Sequence, residues 1–216
     1  MPDDGRPTWQ RQLPNALTFA RLLLAIALFT LLSVPAAGPG DRVRLALALA
    51  LFVAAAVTDA LDGHLARRWQ VVSVLGRVMD PFADKLLILG SFILLAGPGF
   101  VTPGGHVMTG VAPWMAVAVL GRELLVTTIR GAYEARGVDF SASWSGKIKM
   151  ILQSVAIPLI LLAVIGHLGL PADSDDARSL RLGAAVLAWI TVLVTLWSAV
   201  PYIQRAISAS SGVTED

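Results

Sequence analysis

Six apolar runs, separated by short polar or turn-forming segments, dominate this 216-residue sequence. About 20 apolar residues make a helix long enough to cross the hydrocarbon core of a bilayer, and each run has roughly that length. Unpaired backbone groups are costly in lipid, so runs this long predict helices rather than barrel strands. We therefore predict an all-α, polytopic membrane protein, a bundle of six transmembrane helices. The runs cover approximately residues 16–34, 43–61, 77–95, 112–132, 148–168 and 182–202.

The composition supports this class of protein. Apolar residues make up 56% of the chain and charged residues only 15%, whereas soluble domains carry about 25% charged residues. This balance excludes a disordered chain, an ordinary cytosolic globule and a basic nucleic-acid binder, so we expect membrane lipid around the protein and no nucleic-acid partner. Cysteine is absent, which excludes disulfides and cysteine-ligated metal sites. We predict one domain over residues 1–216, with residues 1–12 and 207–216 as mobile tails.

The positive charges predict the orientation. With six spans, both termini and the loops after the second and fourth spans lie on one side of the membrane. That side carries most of the Lys and Arg residues that lie outside the spans. Cytoplasmic loops are enriched in Lys and Arg, so we predict cytoplasmic N- and C-termini in the cytoplasmic (inner) membrane.

Four aspartates lie where a bilayer disfavours charge. Asp59 and Asp62, three residues apart, share one face of the second span, and Asp80 and Asp84, four apart, share one face of the third. A charge at mid-bilayer costs about 2.5–3.5 kcal/mol, so such residues usually face a polar cavity. The first pair ends one span and the second begins the next, after a short connection. We expect antiparallel neighbours whose four carboxylates meet in one pocket that faces the cytoplasm.

Carboxylates this close would repel one another unless cations compensate them. Hard divalent cations prefer oxygen ligands, and two metals about 3.5–4 Å apart are the usual apparatus of phosphoryl displacement. Salt bridges to Lys85 and Arg67 without any metal are the structural alternative.

The full spacing of this segment is more specific than either pair. It reads Asp59-x2-Asp62-Gly63-x2-Ala66-Arg67-x8-Gly76-x3-Asp80-x3-Asp84. At all eight fixed positions it resembles the signature of the CDP-alcohol phosphatidyltransferases. The resemblance implies six transmembrane helices, two divalent cations (Mg2+ or Mn2+), a homodimer, and transfer of a phosphatidyl group from CDP-diacylglycerol with release of CMP.

The same resemblance implies roles for individual residues. Asp59, Asp62 and Asp80 would hold metals, and Asp84 would complete the metal site and act as the base that deprotonates the acceptor hydroxyl. Small side chains at Gly63 and Ala66 would let the nucleotide lie close to the helix, although small residues also serve helix packing. The expected CDP-diacylglycerol-binding residues are Asp62, Gly63, Ala66, Arg67 and Gly76.

Three further segments bear on the acceptor. LPNALTFAR (13–21), MDPFADKLL (79–87) and GRELLVTTIR (121–130), the last followed by SASWSGKIKMILQ (141–153), resemble blocks of the bacterial branch that uses glycerol 3-phosphate. Lys149-Met150 departs slightly from the usual Lys-Thr. A dianionic acceptor phosphate needs nearby cations on the cytoplasmic side. The candidates are Arg122, Arg130, Lys147 and Lys149.

Alternatives remain for these cations. Arg122 and Glu123 also suit a pair with each other, and Lys149 suits a snorkelling role at the membrane surface. Arg21 suits either a place near the site or a buried ion pair.

Other functions are also compatible with parts of the sequence. The same reaction could use phosphatidylglycerol (giving cardiolipin), an inositol phosphate or serine as the acceptor. A divalent-cation transporter could use the aspartates. The transporter is disfavoured because the four aspartates sit toward one surface, and no inverted repeat or second acidic cluster is visible in the later spans.

Overall fold

Seven α-helices and one short 3₁₀ helix make up the described fold. The computed structural model describes the backbone of residues 8–69, 74–102, 104–137 and 143–211, and the side chains of residues 16–59, 79–102, 104–137 and 143–208. No strand occurs in these ranges, where Val101 and Val107 form only an isolated bridge. The prediction of an all-α protein is confirmed. The helices are α1 (Thr8–Ser33), α2 (Asp41–Trp69), α3 (Val74–Leu95), η1 (Pro98–Phe100), α4 (Pro113–Glu134), α5 (Trp144–His167), α6 (Asp175–Trp197) and α7 (Val200–Ser211).

Three helical stretches within the described residues are long and apolar enough to cross a membrane. They are Ala16–Ser33, Trp144–His167 and Asp175–Ser208. Large apolar side chains point outward along the bundle, among them Leu23 (68% exposed) and Val117 (68%). Such a surface is unusual for a soluble monomer and suits contact with lipid. The chain is therefore a membrane-type helical protein, while the count of six spans stays a prediction.

Helix α2 continues well past the end of the second apolar run. The run ends near residue 61, but the helix extends to Trp69. Hydropathy marks where the side chains stop being apolar, whereas a helix ends only where its backbone is broken, and residues 62–69 contain no proline. Asp59 and Asp62 therefore lie inside a continuous helix, not at its end.

Helix α1 is the main neighbour of both aspartate-bearing helices. It packs against α2 and α3 far more extensively than these two pack against each other within the described residues. Its buried face, with Leu28 and Leu32, joins Phe52 of α2 and Phe92 of α3 in one continuous apolar core. Among the described residues, the direct α2–α3 contact expected from their short connection is minor, and both helices pack mainly against α1.

Helices α5 and α6 form the second well-packed pair. The expected sixth span, residues 182–202, lies within the membrane-type stretch Asp175–Ser208. The helix is interrupted inside this stretch, since α6 ends at Trp197 and α7 begins at Val200. Pro201, the second residue of α7, has no N–H to donate to the preceding turn and has a φ suited to a helix start. Ser174 starts α6 by accepting a hydrogen bond from the backbone N–H of Ala177.

Candidate active site

A buried arginine of α1 joins the two aspartate-bearing helices. Arg21 is fully buried, and its Nη1 lies 2.6 Å from Asp59 Oδ1 on α2 and 3.2 Å from Asp84 Oδ1 on α3. Both carboxylates converge on one guanidinium nitrogen, so their oxygens lie close to each other. The two aspartates keep 37% and 39% of their side chains exposed, so they remain accessible to a ligand.

The third described aspartate also faces α1. Thr18 Oγ1 donates to Asp80 Oδ1 at 2.6 Å, and Thr18 lies one helical turn before Arg21. Because Asp80 and Asp84 are four residues apart on α3, the same face of α1 contacts both. The structure therefore places Asp59, Asp80 and Asp84 against the same helix, α1.

Five residues of the expected nucleotide-binding set lie outside the described side chains. Their backbone positions belong to α2 and α3. Among the described residues, no three His, Cys, Asp or Glu side chains are grouped closely enough to hold a metal ion. The predicted metal and nucleotide contacts at these positions therefore stay predictions: Asp62, Gly63, Ala66, Arg67 and Gly76.

A cavity of about 210 Å³ opens beside Asp59 and Asp84, between α2, α3, α4 and α5. One part of its wall is apolar and includes Ala56, Leu87 and Ile88. The other part is polar and combines acidic and basic groups within the same small space. The polar lining consists of Asp59, Asp84, Lys85, Glu123, Lys149, Gln153 and Ser154.

A second group of buried charges forms the α4–α5 wall. Arg122, Glu123 and Lys149 are 6%, 8% and 8% exposed. Glu123 Oε1 accepts from Arg122 Nη1 at 3.2 Å and also from Lys149 Nζ. Of the two interpretations of Arg122, the pair with Glu123 is the one observed, and Lys149 is held inside the bundle rather than at its surface.

Two other predicted acceptor-binding cations lie elsewhere. Arg130 Nη2 contacts Glu134 Oε1 at 3.1 Å, one turn along α4. Lys147 is exposed, with its Nζ 5.9 Å from the centre of the Trp144 ring. Neither residue belongs to the described lining of the cavity. The structure thus brings Lys149 to the cavity and leaves Arg130 and Lys147 outside it.

Two polar residues of α4 were not selected from the sequence as site residues. Thr127 Oγ1 accepts a hydrogen bond from Lys85 Nζ, and Glu123 accepts one from Lys149. The available signal was spacing, because Glu123 and Thr127 are four residues apart and share a helical face. Their partners lie on other helices, so only the tertiary structure identifies them.

These features define a membrane-type, all-helical protein with several interior charges beside a cavity whose wall is partly polar and partly apolar. The family model of the CDP-alcohol phosphatidyltransferases matches residues 11–197, which is most of the chain. The protein therefore belongs to the CDP-alcohol phosphatidyltransferase family and is a transferase.

Individual relatives agree with this assignment. A Mycobacterium tuberculosis protein named probable phosphatidylglycerophosphate synthase is 34% identical over 204 residues, covering 94% of this chain and 85% of the relative. A Bacillus subtilis CDP-diacylglycerol–glycerol-3-phosphate 3-phosphatidyltransferase is 33% identical over 162 residues, covering 69% and 76%. An Arabidopsis thaliana protein of the same name, numbered 2, is 30% identical over 163 residues, covering 72% and 64%.

Proposed function

We propose that the protein transfers the phosphatidyl group of CDP-diacylglycerol to glycerol 3-phosphate, giving phosphatidylglycerophosphate and CMP. Relatives that are 34% and 33% identical to this chain over the aligned residues are named for this activity. The single structural observation that carries the proposal is the mixed cavity wall. Asp59 and Asp84 supply its acidic part, and Lys85 and Lys149 supply its basic part. One cavity thus offers a proton acceptor and cations for a phosphorylated alcohol.

The chemistry is a displacement at the lipid-side phosphorus of the donor. The acceptor hydroxyl oxygen forms a new bond to that phosphorus, and the bond to the bridging pyrophosphate oxygen breaks. CMP leaves with the bonding electron pair, and the hydroxyl proton passes to the Asp84 carboxylate. Asp84 suits the role of base because it lines the cavity and is partly exposed.

The carboxylates fit the divalent cations on which this family generally depends. Their donor atoms are all oxygens, the ligand type that Mg2+ and Mn2+ prefer, and Asp59 and Asp84 already converge on one cationic nitrogen. We assign two cations to Asp59, Asp62, Asp80 and Asp84. When bound, they would neutralise the charge that develops on the pyrophosphate oxygens.

Substrate binding would combine the two parts of the site. We assign the donor nucleotide and its phosphates to Asp62, Gly63, Ala66, Arg67 and Gly76 of α2 and α3. We assign the acceptor phosphate to the cations of α4 and α5. Lys149 lines the cavity, and Arg122, Arg130 and Lys147 lie outside its described lining. The apolar lining, including Leu87 and Ile88, suits the glycerol and acyl portion of the donor.

The helices and the charge distribution support a proposal for the membrane arrangement. We propose six spans in the inner membrane, cytoplasmic termini and a cavity open to the cytoplasm, within one domain over residues 1–216 and in a homodimer. Trp144 and Trp197 are 77% and 55% exposed and suit the aromatic belt at a membrane surface.

An acceptor panel tests the proposed reaction. Purified protein receives CDP-diacylglycerol and Mg2+ with glycerol 3-phosphate, phosphatidylglycerol, inositol phosphate or serine, each alone, while CMP release is followed. We expect release with glycerol 3-phosphate only. Release with another alcohol alone would contradict the acceptor assignment, and no release with any acceptor would contradict the transferase mechanism. The donor-omitted reaction is the control.

A further inference from the structure

Helix α4 presents two polar side chains on one face, one turn apart. These are Glu123 and Thr127, and they are linked to each other because Thr127 Oγ1 donates to the Glu123 backbone carbonyl at 2.6 Å. This bond fixes the rotamer of Thr127 and turns its oxygen lone pairs outward from the helix. Two hydrogen-bond acceptors of α4 thus have defined positions, and one of them, Glu123, lines the cavity.

Each of these two hydrogen-bond acceptors binds a lysine side chain from a different neighbouring helix. Lys149 of α5 donates to the Glu123 carboxylate, and Lys85 of α3 donates to the Thr127 hydroxyl. Both ammonium groups belong to residues that line the cavity. A lysine carries its charge at the end of a flexible four-carbon chain, so the position of the ammonium group varies unless a partner restrains it. Here α4 supplies one restraint for each lysine.

The guanidinium of Arg122 contacts both Glu123 and the junction of α6 and α7. Its Nη1 shares the Glu123 carboxylate with Lys149, and its Nη2 donates to the Ser198 backbone carbonyl at 3.3 Å, where α6 gives way to α7. Arg122 does not belong to the described cavity lining. The Glu123 carboxylate therefore faces two cations, of which only Lys149 borders the cavity.

Asp59 and Asp84 of the cavity wall contact Arg21, and among the remaining charged residues of the lining the cations outnumber the carboxylates. One carboxylate compensates two buried cations, and Lys85 is bound to a neutral hydroxyl. Buried charge is costly unless it is paired, so an anion in the cavity would complete the group. A phosphate monoester is the matching anion, because it carries about two negative charges and accepts hydrogen bonds from several donors at once. Asp84 lines the same cavity as Lys85 and Lys149, so such an anion would lie near the proposed base.

We propose that Glu123 and Thr127 are positioning residues that hold Lys149 and Lys85 at the cavity wall as a two-lysine site for the phosphate monoester of the acceptor. This inference rests on the proposed function and adds to it the residues that place the cations. Lys85, Glu123 and Thr127 thereby join Lys149 in acceptor recognition, while Arg122 also connects α4 to the Ser198 carbonyl between α6 and α7.

Steady-state kinetics of CMP release test the inference. In Glu123→Gln we expect the KM for glycerol 3-phosphate to rise about tenfold, because Lys149 loses its charged partner and its fixed position. Thr127→Val should raise the same KM severalfold. The KM for CDP-diacylglycerol should stay near the wild-type value in both variants. Glu123→Asp, which keeps the charge, should recover part of the loss. The matched controls are Thr128→Val, the exposed neighbouring threonine, and Asp175→Asn, an exposed acid at the start of α6.

A double-substitution cycle separates positioning from general damage to the fold. Lys149→Met alone should raise the KM for glycerol 3-phosphate, and adding Glu123→Gln should raise it little further, because Glu123 acts through Lys149. Inorganic phosphate should inhibit the wild type competitively against glycerol 3-phosphate, with a weaker effect in each variant.

Each possible result of these experiments either supports or overturns the role of Glu123 and Thr127. Additive effects, or a rise in the KM for CDP-diacylglycerol instead, would overturn the inference and assign the lysines to the fold or to the donor pyrophosphate. An unchanged KM for glycerol 3-phosphate in an active Glu123→Gln enzyme would also overturn it while leaving the proposed function intact. A wild-type enzyme that releases no CMP with glycerol 3-phosphate would overturn the proposed function itself, and the acceptor site with it.

Discussion

The two ends of the helical bundle use charged residues in opposite ways. At the end that joins α1 to α2, Asp41 accepts hydrogen bonds from the backbone N–H groups of Ala37 and Gly38, and Arg44 donates to the carbonyls of Leu31 and Pro35. These contacts are local in sequence and satisfy backbone groups of a turn. At the cavity end, Arg21 joins two helices through residues far apart in sequence, and charges contact other charges.

The difference separates charged residues that close a turn from charged residues that border a cavity. The Asp41–Arg44 pair has a complete role in closing the turn, since its atoms are engaged by main-chain partners. The charges at the cavity are instead grouped around a space, and several of them line it. Buried and partly buried charges that border a cavity cost stability, so they are typical of sites where a ligand completes the interactions.

The largest expected effect is loss of activity at the cavity end. Asp84→Asn removes the proposed base while keeping the side-chain shape, so CMP release should fall by a factor of about 10²–10⁴. Binding of CDP-diacylglycerol should be retained in part, which separates chemistry from binding. Asp173→Asn, at an exposed position of the α5–α6 loop, is the control and should leave CMP release unchanged. An Asp84→Asn enzyme with wild-type turnover would remove Asp84 from this role.

The second effect compares the two arginines directly. Arg21→Gln leaves two neighbouring carboxylates without this guanidinium, so the free energy of unfolding should fall by about 3 kcal/mol. Arg44→Gln removes local and partly solvated contacts, so its cost should be about 1 kcal/mol. Denaturant titration of both variants in the same detergent measures this difference. Equal losses of unfolding free energy in the two variants would contradict the described difference between the two ends of the bundle.

Packing at the turn end provides a third test. Gly110 has a φ of +65°, and a Cβ there would lie 2.3 Å from the Cα of Ala185 on α6. Gly110→Ala should therefore cost more than about 2 kcal/mol, because a backbone atom cannot move aside cheaply. Gly105 has a φ of +79° with open space around it, so Gly105→Ala should cost only the backbone strain of about 1–2 kcal/mol. Similar midpoints of thermal unfolding for the two variants would contradict this close contact of the loop with α6.

The smallest expected effect is the pH dependence from Asp41. The backbone N–H of Ala37, followed by the Arg44 side chain, lowers the pKa of Asp41 below its ordinary value of 3.8. The folded pKa lies below the unfolded one, so Asp41 stabilises the protein fully above about pH 4 and this contribution is lost as the pH falls through the folded pKa. Asp41→Asn should show a shallower loss of stability between pH 5 and pH 3 than the wild type. A parallel pH profile for both proteins would show that the carboxylate contributes nothing.

The sequence predicted those features that depend on neighbouring residues. Apolar runs located six long helices, and i, i+3 and i, i+4 spacing placed the aspartates on common helical faces. The family signature indicated the reaction. Hydropathy could not show that α2 continues to Trp69 or that α6 stops at Trp197, because a helix boundary depends on backbone hydrogen bonding rather than on lipid contact.

The sequence alone could not predict contacts between residues that are far apart along the chain. From the sequence, Arg21 was compatible with a place near the site or with a buried ion pair. The structure shows the ion pair, and its partners are two of the predicted site carboxylates. The Lys85–Thr127 and Lys149–Glu123 contacts depend on how α3 and α5 pack beside α4. No local pattern specifies that packing.

The central claim is that the acceptor hydroxyl attacks the lipid-side phosphorus of CDP-diacylglycerol. The most direct test follows the oxygen atom of that hydroxyl. Glycerol 3-phosphate labelled with ¹⁸O at its primary hydroxyl is incubated with CDP-diacylglycerol, Mg2+ and the purified protein, and the products are analysed by mass spectrometry. If the hydroxyl attacks the lipid-side phosphorus, the label is retained in phosphatidylglycerophosphate and the released CMP carries none. Label in a nucleotide product, or release of phosphatidic acid in place of CMP, would contradict the account.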